Sequence, residues 1–325
     1  MSPVRFSLAL LAALSLLPAA ATAQGYPNRS IRMIVPFPAG GATDVFARQY
    51  AIRMSTLLGQ QIFVDNKTGA AGSIGAAEAA RAEPNGYTML FATASIWALY
   101  NLMSKKQQFD TLKDFAPIAE VGASPVIFAV HPSVPGDLKQ VIAYAKANPG
   151  KLQYGSPGTG TYLHLSMEML KLEAGGVDIT HIPYRGGAPA IADTVAGNVS
   201  MLVDAVSTSL EHHRAGRMRI LAVALPKRSP LAPDIPTVDE ALGTKGFAAA
   251  LWNAVAVPAA SPPEVVEKLY AATAQVMTDK SFEEQLLKMG IEPTVGATPQ
   301  STREFILKER ARWKPVVEAT GVSSD

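Results

Sequence analysis

The stretch Ile31-Arg-Met-Ile-Val-Pro-Phe-Pro-Ala-Gly-Gly-Ala-Thr-Asp44 changes character twice. Residues 31–36 form a short run rich in β-formers, and Phe37 to Thr43 is a turn cluster with two adjacent glycines. From Asp44 to Leu58 the apolar residues recur with helical spacing, and Gly59 stands where a helix commonly ends. The stretch therefore predicts a strand, a glycine-rich loop and a helix in succession.

The same order recurs along the chain. Helical patterns separate most of a series of predicted strands, at 62–64, 87–93, 126–130, 153–155, 180–183, 201–204 and 220–224. Such alternation is typical of α/β folds with mainly parallel sheets. A chain of 325 residues suits roughly two domains, and no flexible linker divides it. We therefore expect two domains joined by crossing strands, with candidates at Glu120 to Val130 and Ala222 to Ser229.

Composition excludes several classes of protein. Hydrophobic residues make up 48% of the chain and charged residues 17%, which excludes a disordered or coiled-coil protein. The net charge of +2 lacks the basic excess that nucleic-acid binding needs. The chain has no cysteine, which excludes disulfides, Cys-ligated metal centres and a thiol nucleophile.

The N-terminus has the pattern of a secretory signal peptide. Arg5 supplies positive charge, residues 6–17 are apolar, and Ala21-Thr-Ala23 is a small-x-small cleavage site. We expect residues 1–23 to be removed and the remainder to be a soluble, exported protein. The alternative is an uncleaved membrane anchor.

A second glycine-rich loop, Gly155-Ser-Pro-Gly-Thr-Gly-Thr161, also follows a predicted strand and precedes a helical pattern. The start of a helix leaves N–H groups without partners and bears partial positive charge, so it can hold a carboxylate without Arg or Lys. Two such loops in separate halves of the chain predict a ligand clamped between two lobes. The alternative is that each loop is an ordinary turn capping its helix.

Catalytic motifs are missing from the sequence. Its five histidines form no His-Glu-x-x-His pair, and there is no Gly-x-Ser-x-Gly elbow. A Ser156–His164–Asp triad is conceivable but has no supporting motif. His164 could orient the second loop or be a core histidine. Asp204, at the end of an apolar strand, could meet a ligand amine, cap the next helix or bond neighbouring backbone. Trp97 could wall a pocket or belong to the core.

Taken in order, the motifs resemble the substrate-binding receptors of tripartite tricarboxylate transporters, the TctC or Bug family. The likeness runs from about Tyr26 to Gly321. It rests on Tyr26-Pro-x-Arg-x-Ile-Arg-x-Ile-Val-Pro-Phe37, Ala-Gly-Gly-x-x-Asp44, Val64-Asp-Asn-Lys-x-Gly-Ala70, Gly72-x-Ile-Gly75, Pro84-Asn-Gly-Tyr87, Tyr154-Gly-Ser-Pro-Gly-x-Gly-Thr161, His164-Leu165, His181-Ile-Pro-Tyr-Arg-Gly186, Pro189-Ala190, Ala215-Gly-Arg-x-Arg-x-Leu-Ala-Val223 and Pro236-Thr237.

The resemblance implies a type II periplasmic-binding-protein fold, with two α/β lobes around a ligand cleft that closes. Lobe 1 would comprise residues 24–124 and 225–325, and lobe 2 residues 125–224. The two glycine-rich loops would grip a carboxylate, Asp44 would cap and shape the first loop, and Asp204 and Ala205 would face the distal end of the ligand. The full set of expected ligand-binding residues is Phe37, Ala39, Gly40, Gly41, Thr43, Asp44, Ser95, Trp97, Ser156, Gly158, Thr159, Gly160, Thr161, His164, Asp204 and Ala205.

The sequence departs from the family pattern after Thr93. Many relatives have a Ser-x-x-His-x-x-Asn-Pro-like segment there, whereas this chain has Ala94-Ser-Ile-Trp-Ala-Leu-Tyr-Asn101. The loss of His and the gain of Trp97 favour an aromatic or apolar carboxylate over citrate.

The resemblance therefore implies a periplasmic solute-binding protein for a small organic carboxylate, with aromatic acids and dicarboxylates as the candidates. It would be a monomer without catalysis, metal, cofactor or nucleic acid, delivering its ligand to membrane transporter subunits. Two alternatives stay open: a sensor that signals to a histidine-kinase ectodomain, and a secreted hydrolase.

Overall fold

A computed structural model describes residues 25–323 of the chain. The predicted signal peptide, residues 1–23, lies outside the described residues. Within them, no helix combines the length and the apolar character needed to cross a membrane.

Strands and helices alternate along most of the described chain. The strands are β1 (Ile31–Val35), β2 (Ile62–Asn66), β3 (Thr88–Thr93), β4 (Phe115–Val130), β5 (Gln153–Ser156), β6 (Thr180–Pro183), β7 (Met201–Ala205), β8 (Arg219–Val223), β9 (Ala250–Pro258) and β10 (Glu292–Pro293). The helices are α1 (Ala42–Leu58), α2 (Ser73–Ala80), α3 (Tyr100–Met103), α4 (Leu138–Ala147), α5 (Tyr162–Glu173), α6 (Gly187–Val195), α7 (Val206–Arg214), α8 (Val238–Leu242), α9 (Pro263–Met277), α10 (Lys280–Lys288) and α11 (Pro299–Thr320). A 3₁₀ turn (Ala70–Gly72) and a π-helical turn (Ser95–Leu99) precede α2 and α3.

Strand β4 joins two sheets. Its first part, from Phe115 to Pro125, pairs with β9, and its last part, from Val126 to Val130, pairs with β7 and β8. The first sheet has the order β2-β1-β3-β9-β4, and the second continues from β4 through β7 and β5 to β6. The predicted crossing at Glu120 to Val130 lies within β4.

The sheets are mixed rather than mainly parallel. Strand β1 is parallel to β2 and β3, and β5 is parallel to β6 and β7. Strand β9 is antiparallel to β3 and β4, and β4 is antiparallel to β7 and β8. The strand–loop–helix pattern indicated the parallel parts, since each crossover helix returns the chain to run in the same direction. The expectation failed at β9 in the first sheet and at the last part of β4 in the second, because each of these segments enters its sheet from the other lobe.

The chain leaves the second sheet later than the sequence suggested. The N–H of Ala224 donates to Val126 O at 2.8 Å, and the N–H of Ala249 donates to Ala224 O at 2.9 Å. Between them, residues 225–249 stay with the second sheet: Thr237 bridges to Val223, and Ile235 belongs to the same buried cluster as Ile127. We infer that the return crossing is at residues 249–250, which moves residues 225–249 from lobe 1 to lobe 2.

The helix after the first loop begins two residues earlier than predicted. Helix α1 starts at Ala42 with Gly41 as its N-cap, whereas the apolar spacing indicated a start at Asp44. It ends as expected at Gly59, which has the left-handed φ of 67°. A residue with a Cβ is strained in that conformation, which is why glycine serves there.

Helix α11 packs across both sheets. Its Trp313 and the β9 residue Trp252 are buried, and both indole N–H groups donate to the Glu309 carboxylate, at 3.3 and 3.2 Å. The largest buried cluster includes residues of both sheets, such as Leu90 and Val203. The two lobes therefore share one buried cluster to which α11 contributes.

Candidate ligand-binding site

Residues of both lobes enclose a cavity of about 40 Å³. Its lining comprises Phe37, Pro38, Gly41, Ala42, Thr43, Thr93, Ser95, Pro157, Thr161, Leu163, Gly186, Gly187, Asp204 and Leu251. We call this space the inner cavity. A larger cavity of about 470 Å³, the outer cavity, shares Phe37, Pro38, Pro157, Thr161 and Gly186 with it. The two cavities therefore adjoin.

The start of α1 faces the inner cavity. Gly41, Ala42 and Thr43 all line it, and Gly41 as N-cap has no side chain with which to bond the first N–H groups of the helix. An uncapped helix start offers unpaired N–H donors and the positive end of the helix dipole. The first glycine-rich loop thus presents donors for an anion without any cationic side chain.

Asp44 holds the first loop from behind. Its carboxylate accepts hydrogen bonds from the Gly40 N–H, Arg48 Nε and Asn66 Nδ2, each at 2.9 Å. Burial alone would raise the pKa of Asp44, but the hydrogen bonds from Arg48, Gly40 and Asn66 outweigh burial and lower the pKa. Asp44 is therefore ionised and stabilises the conformation of the first loop. It is not among the residues that line the inner cavity.

The second glycine-rich loop places the start of α5, which belongs to lobe 2, at the same inner cavity. Thr161 is the N-cap of α5: its Oγ1 accepts from the His164 N–H at 3.3 Å and donates to Gly158 O at 2.8 Å. The Tyr162 N–H donates to Ser95 Oγ of lobe 1 at 2.9 Å. Two helix starts, one from each lobe, therefore converge on one cavity.

The backbone donors of two predicted contact residues are already engaged within the loop. The Gly158 N–H donates to Ser156 Oγ and the Gly160 N–H donates to His164 Nδ1, both at 3.2 Å. These bonds shape the loop, and the side chains of Ser156 and His164 lie behind it.

A third loop, after β6, also reaches the cavity. Gly186 and Gly187 line it, and Gly187 is the first residue of α6. Gly186 has a φ of +121°, and a Cβ at this position would lie 2.7 Å from Pro38 Cγ of lobe 1. Only glycine allows the two lobes to approach this closely at this point.

Asp204 is the one ionisable side chain among the described residues that line the inner cavity. It is 2% exposed, and its Oδ2 accepts from Thr208 Oγ1 and Ser209 Oγ, each at 2.6 Å. Burial raises the pKa of Asp204, although the two hydroxyl donors act in the opposite sense. A titratable carboxyl thus lies in the same cavity as the two helix starts.

The structure brings most of the predicted site residues to the cleft, in two layers. Those that line the inner cavity are Phe37, Gly41, Thr43, Ser95, Thr161 and Asp204. Gly158 and Thr159 line the outer cavity. Those bonded to the loops from behind are Gly40, Asp44, Ser156, Gly160 and His164. Ala39 is exposed in the first turn, and Ala205 is buried as the N-cap of α7.

Trp97 does not wall the cavity. Its side chain is 0% exposed, its indole Nε1–H donates to Ala92 O at 2.8 Å, and its ring packs edge-on against Phe115 at 5.6 Å between centroids. The π-helical turn around it directs the ring into the core of lobe 1. The preference for an aromatic ligand, which depended on Trp97, therefore loses its basis.

Sequence reasoning missed eight lining residues: Pro38, Ala42, Thr93, Pro157, Leu163, Gly186, Gly187 and Leu251. Gly186 and Gly187 had a usable signal, since they are a glycine pair after a predicted strand and before a helix. Leu251 lies on β9, an apolar run that the strand prediction did not include. Thr93 offered only its place at a strand end.

The serine of the conceivable triad pairs with another histidine. Ser156 Oγ lies 2.7 Å from Nε2 of His181, whereas His164 is bonded to the Gly160 N–H. The Ser156–His164–Asp triad is therefore not assembled. Ser156 is 0% exposed, so its hydroxyl is closed off from solvent behind the loop.

The sequence model of the family described as "Tripartite tricarboxylate transporter family receptor", TctC, matches residues 46–322. The chain belongs to the TctC family. This TctC-family receptor is 36% identical over 302 residues to Protein BugT of Bordetella pertussis, a match that covers 92% of each chain. It is 35% identical over 293 residues to a UPF0065 protein from the tcbD-tcbE intergenic region of Pseudomonas sp. strain P51, covering 90% of this chain and 86% of the relative.

Solved structures confirm the fold of this TctC-family receptor as that of a periplasmic binding protein. The periplasmic binding protein BugD superposes with a TM-score of 0.87 at 32% identity, covering 92% of this chain and 99% of BugD. An R. palustris protein solved with adipate superposes with a TM-score of 0.87 at 34% identity, covering 92% of this chain and 99% of that protein. MatC from Rhodopseudomonas palustris with bound malate superposes with a TM-score of 0.85 at 28% identity, covering 90% of this chain and 100% of MatC. Family and fold are those of solute-binding receptors rather than enzymes.

Proposed function

We propose that this TctC-family receptor captures a small aliphatic carboxylate in the periplasm and delivers it to the membrane subunits of a tripartite tricarboxylate-type transporter. The observation that supports this most directly is the convergence of the α1 and α5 helix starts on one cavity, from opposite lobes. The described residues that line the inner cavity include no Lys, Arg or His, so backbone N–H groups and hydroxyls are the donors for an anion there.

The ligand would stabilise the closed arrangement of the lobes. One carboxylate in the inner cavity would accept from the N–H groups of Ala42 and Thr43 in lobe 1 and of Leu163 in lobe 2, together with the Thr43 and Ser95 hydroxyls. The N–H groups of Gly41, Thr161 and Tyr162 already donate to Pro38 O, Gly158 O and Ser95 Oγ. A contact made to both lobes at once exists only in the closed state, so binding shifts the population towards it. Hydrogen bonds to a charged group contribute about 1.5–3 kcal/mol each, and four or five of them, less the cost of association, reach micromolar affinity.

The cavity sizes suit a ligand with a carboxylate head and a larger body. The inner cavity of about 40 Å³ suits the carboxylate, and the outer cavity of about 470 Å³ suits the remainder. The structural neighbours solved with adipate and malate support a dicarboxylate of this size.

Thermal unfolding against a panel of carboxylates tests the proposal. The mature protein is stripped of ligand by unfolding and refolding, then heated with adipate, L-malate, citrate, benzoate, nicotinate and phthalate. A ligand at 100 times its dissociation constant stabilises the folded protein by about 2.7 kcal/mol. We expect a rise in Tm with the aliphatic carboxylates. A rise confined to the aromatic acids would overturn the ligand class. No rise with any acid, and no small molecule in native mass spectra of the unstripped protein, would overturn the binding role.

A further inference from the structure

Two histidine rings stack beneath the second glycine-rich loop. The centroids of His164 and His181 are 4.0 Å apart with 16° between the ring planes, and Tyr154 extends the stack 4.8 Å beyond His181. His164 is 4% exposed. The stack lies on the side of the loop away from the cavities, since neither histidine lines the inner or the outer one.

Each ring is bonded to a different part of the loop. His164 Nδ1 accepts the Gly160 N–H at 3.2 Å. His181 Nε2 lies 2.7 Å from Ser156 Oγ, which accepts the Gly158 N–H at 3.2 Å. Both glycine N–H groups are therefore held on the side of the loop that faces the histidines, away from the cavities. The Gly160 N–H is held by a histidine directly, and the Gly158 N–H is held through the serine hydroxyl. Gly158 has a φ of +140° and Gly160 one of +76°, so both peptides adopt conformations that side chains disfavour.

The bond from Gly160 defines the tautomer of His164. His164 Nδ1 accepts only when it has no proton, which places the ring proton on Nε2. The 2.7 Å contact between Ser156 Oγ and His181 Nε2 is a hydrogen bond in either tautomer of His181. The hydroxyl donates to an unprotonated Nε2, or it accepts from Nε2–H and donates to Gly158 O at 3.4 Å.

The surroundings keep both rings neutral at pH 7. Burial lowers the pKa of His164 to about 4, and Lys171 adds to the effect. Burial and the neighbouring His164 lower the pKa of His181 to about 4, against the opposing influence of Glu168. Glu168 is in turn engaged by Tyr154 at 2.5 Å and by Lys171 at 2.9 Å.

We propose that His164 and His181 are positioning residues. Their neutral, stacked rings hold the Gly160 and Gly158 N–H groups on the side of the loop away from the cavities and so set the face that the second loop presents to the carboxylate. The inference rests on the proposed carboxylate binding for its functional consequence. Its structural part, the assignment of each ring nitrogen to one glycine amide, stands apart from the ligand. The competing explanation is that both rings merely fill space.

Substituting first Asn and then Gln at positions 164 and 181 distinguishes the positioning role from space-filling. The Oδ1 of Asn stands as many bonds from the backbone as His Nδ1, whereas the amide of Gln reaches the position of His Nε2. His164→Asn should therefore keep the bond from Gly160, and His164→Gln should lose it. The order reverses at the other position, where His181→Gln should keep the bond to Ser156 and His181→Asn should lose it. Space-filling predicts no such reversal.

The first readout needs no ligand. Amide hydrogen exchange, followed by NMR, should be as slow at Gly160 in His164→Asn as in the wild type and about tenfold faster in His164→Gln, the factor expected for one hydrogen bond of about 1.4 kcal/mol. Gly158 should show the same contrast between His181→Gln and His181→Asn. The second readout is the dissociation constant of adipate and of L-malate by calorimetry. The two mismatched variants should bind about tenfold more weakly than the matched ones.

Equal exchange in the Asn and Gln variants at both positions would overturn the proposal. If a variant fails to fold, the ¹⁵N spectrum of the wild-type imidazoles decides, because a proton on Nδ1 of His164 is incompatible with the bond from Gly160. If the wild type binds neither probe while the exchange contrast is present, the proposed carboxylate is wrong and the positioning role holds.

Discussion

Arg312 of α11 donates from Nη2 to the hydroxyl of Tyr162, 3.1 Å away on the first turn of α5. The same guanidinium donates to Ala248 O at 2.7 Å and pairs with the buried Glu309 carboxylate. The Tyr162 ring packs on Trp313 at 4.6 Å. The C-terminal helix therefore fixes the helix whose start faces the cavity, so the position of the second loop depends on a residue 150 positions away.

Tyr162→Phe removes this hydroxyl and keeps the ring packing. Tyr162 is fully buried, so the change removes the hydroxyl that accepts from Arg312 Nη2. We expect the free energy of unfolding to fall by about 1–3 kcal/mol, measured by urea denaturation. The matched control is Tyr144→Phe, at a side chain that is 51% exposed, which should change stability by less than about 0.5 kcal/mol. Equal losses in both variants would contradict the role of the Arg312 contact.

Gly41→Asp should abolish carboxylate binding and leave the fold intact. Gly41 has an ordinary φ of −78°, and a Cβ there would meet only Pro38 O, at 3.5 Å. The new carboxylate would cap α1 and occupy its N–H donors, which stabilises the helix by a few tenths of a kcal/mol, and it would repel an anion. Calorimetry with adipate should show a loss of about 100-fold or more, with Tm unchanged or higher. Gly41→Ala adds the same Cβ without charge and should bind. If Gly41→Asp bound as tightly as Gly41→Ala, this helix start would not belong to the site.

Gly186→Ala should hinder closure of the cleft. The added Cβ would lie 2.7 Å from Pro38 Cγ of the opposite lobe, at a backbone φ of +121°. We expect about tenfold weaker binding of adipate or L-malate and a larger radius of gyration in solution scattering with ligand present. Gly176→Ala is the control for backbone strain alone, because Gly176 has a φ of +77° and a Cβ there would have no neighbouring atom within 4 Å. If both variants bind equally well, the contact between Gly186 and Pro38 does not limit closure.

The neutral histidine pair should make stability depend on pH. The pKa of His164 and of His181 is about 4 in the folded protein, against an ordinary value of 6.5. Between these values the unfolded chain binds more protons, so the contribution to stability is complete above pH 6.5 and is lost as the pH falls through about 4. Glu120 acts in the opposite sense, since burial raises its pKa to about 7 and its contribution is lost as the pH rises through that value.

The comparison with a variant isolates the histidines. The double variant His164→Asn/His181→Gln retains Glu120 and lacks both rings. Urea midpoints at pH 7.0, 5.5 and 4.5 should fall more steeply for the wild type than for this variant. Parallel curves would mean that the two rings bind protons equally in the folded and unfolded states.

Ligand binding should be coupled to protonation of Asp204. An anion in the inner cavity is a like charge beside a buried carboxyl whose pKa is already raised, and it raises that pKa further. Adipate or L-malate should therefore bind more weakly as the pH rises and Asp204 loses its proton. Calorimetry in two buffers of different ionisation enthalpy should detect proton uptake in the wild type and none in Asp204→Asn. Uptake that persists in Asp204→Asn would assign the proton to another group.

Local structure was predictable because its causes are local. The spacing of apolar residues after Asp44 and the left-handed conformation at Gly59 depend on a few neighbouring residues, and helix α1 and its end were found where the sequence places them, within two residues at the start. The same holds for the loop between β5 and α5. The place of residues 225–249 could not be read in this way, because their attachment to the second sheet depends on contacts such as Val223 with Thr237.

The amino-acid sequence alone determined the strand–loop–helix units, the two glycine-rich loops and the family to which they point, since glycine conformation, helix starts and hydrophobic periodicity act over a few residues. The tertiary structure alone determined which groups face the cleft. It turned Trp97 into the core, brought Gly186 against Pro38, and paired Ser156 with His181 instead of His164. These outcomes depend on side chains that are distant along the chain and compete for the same space and the same hydrogen-bond donors, which no local pattern records.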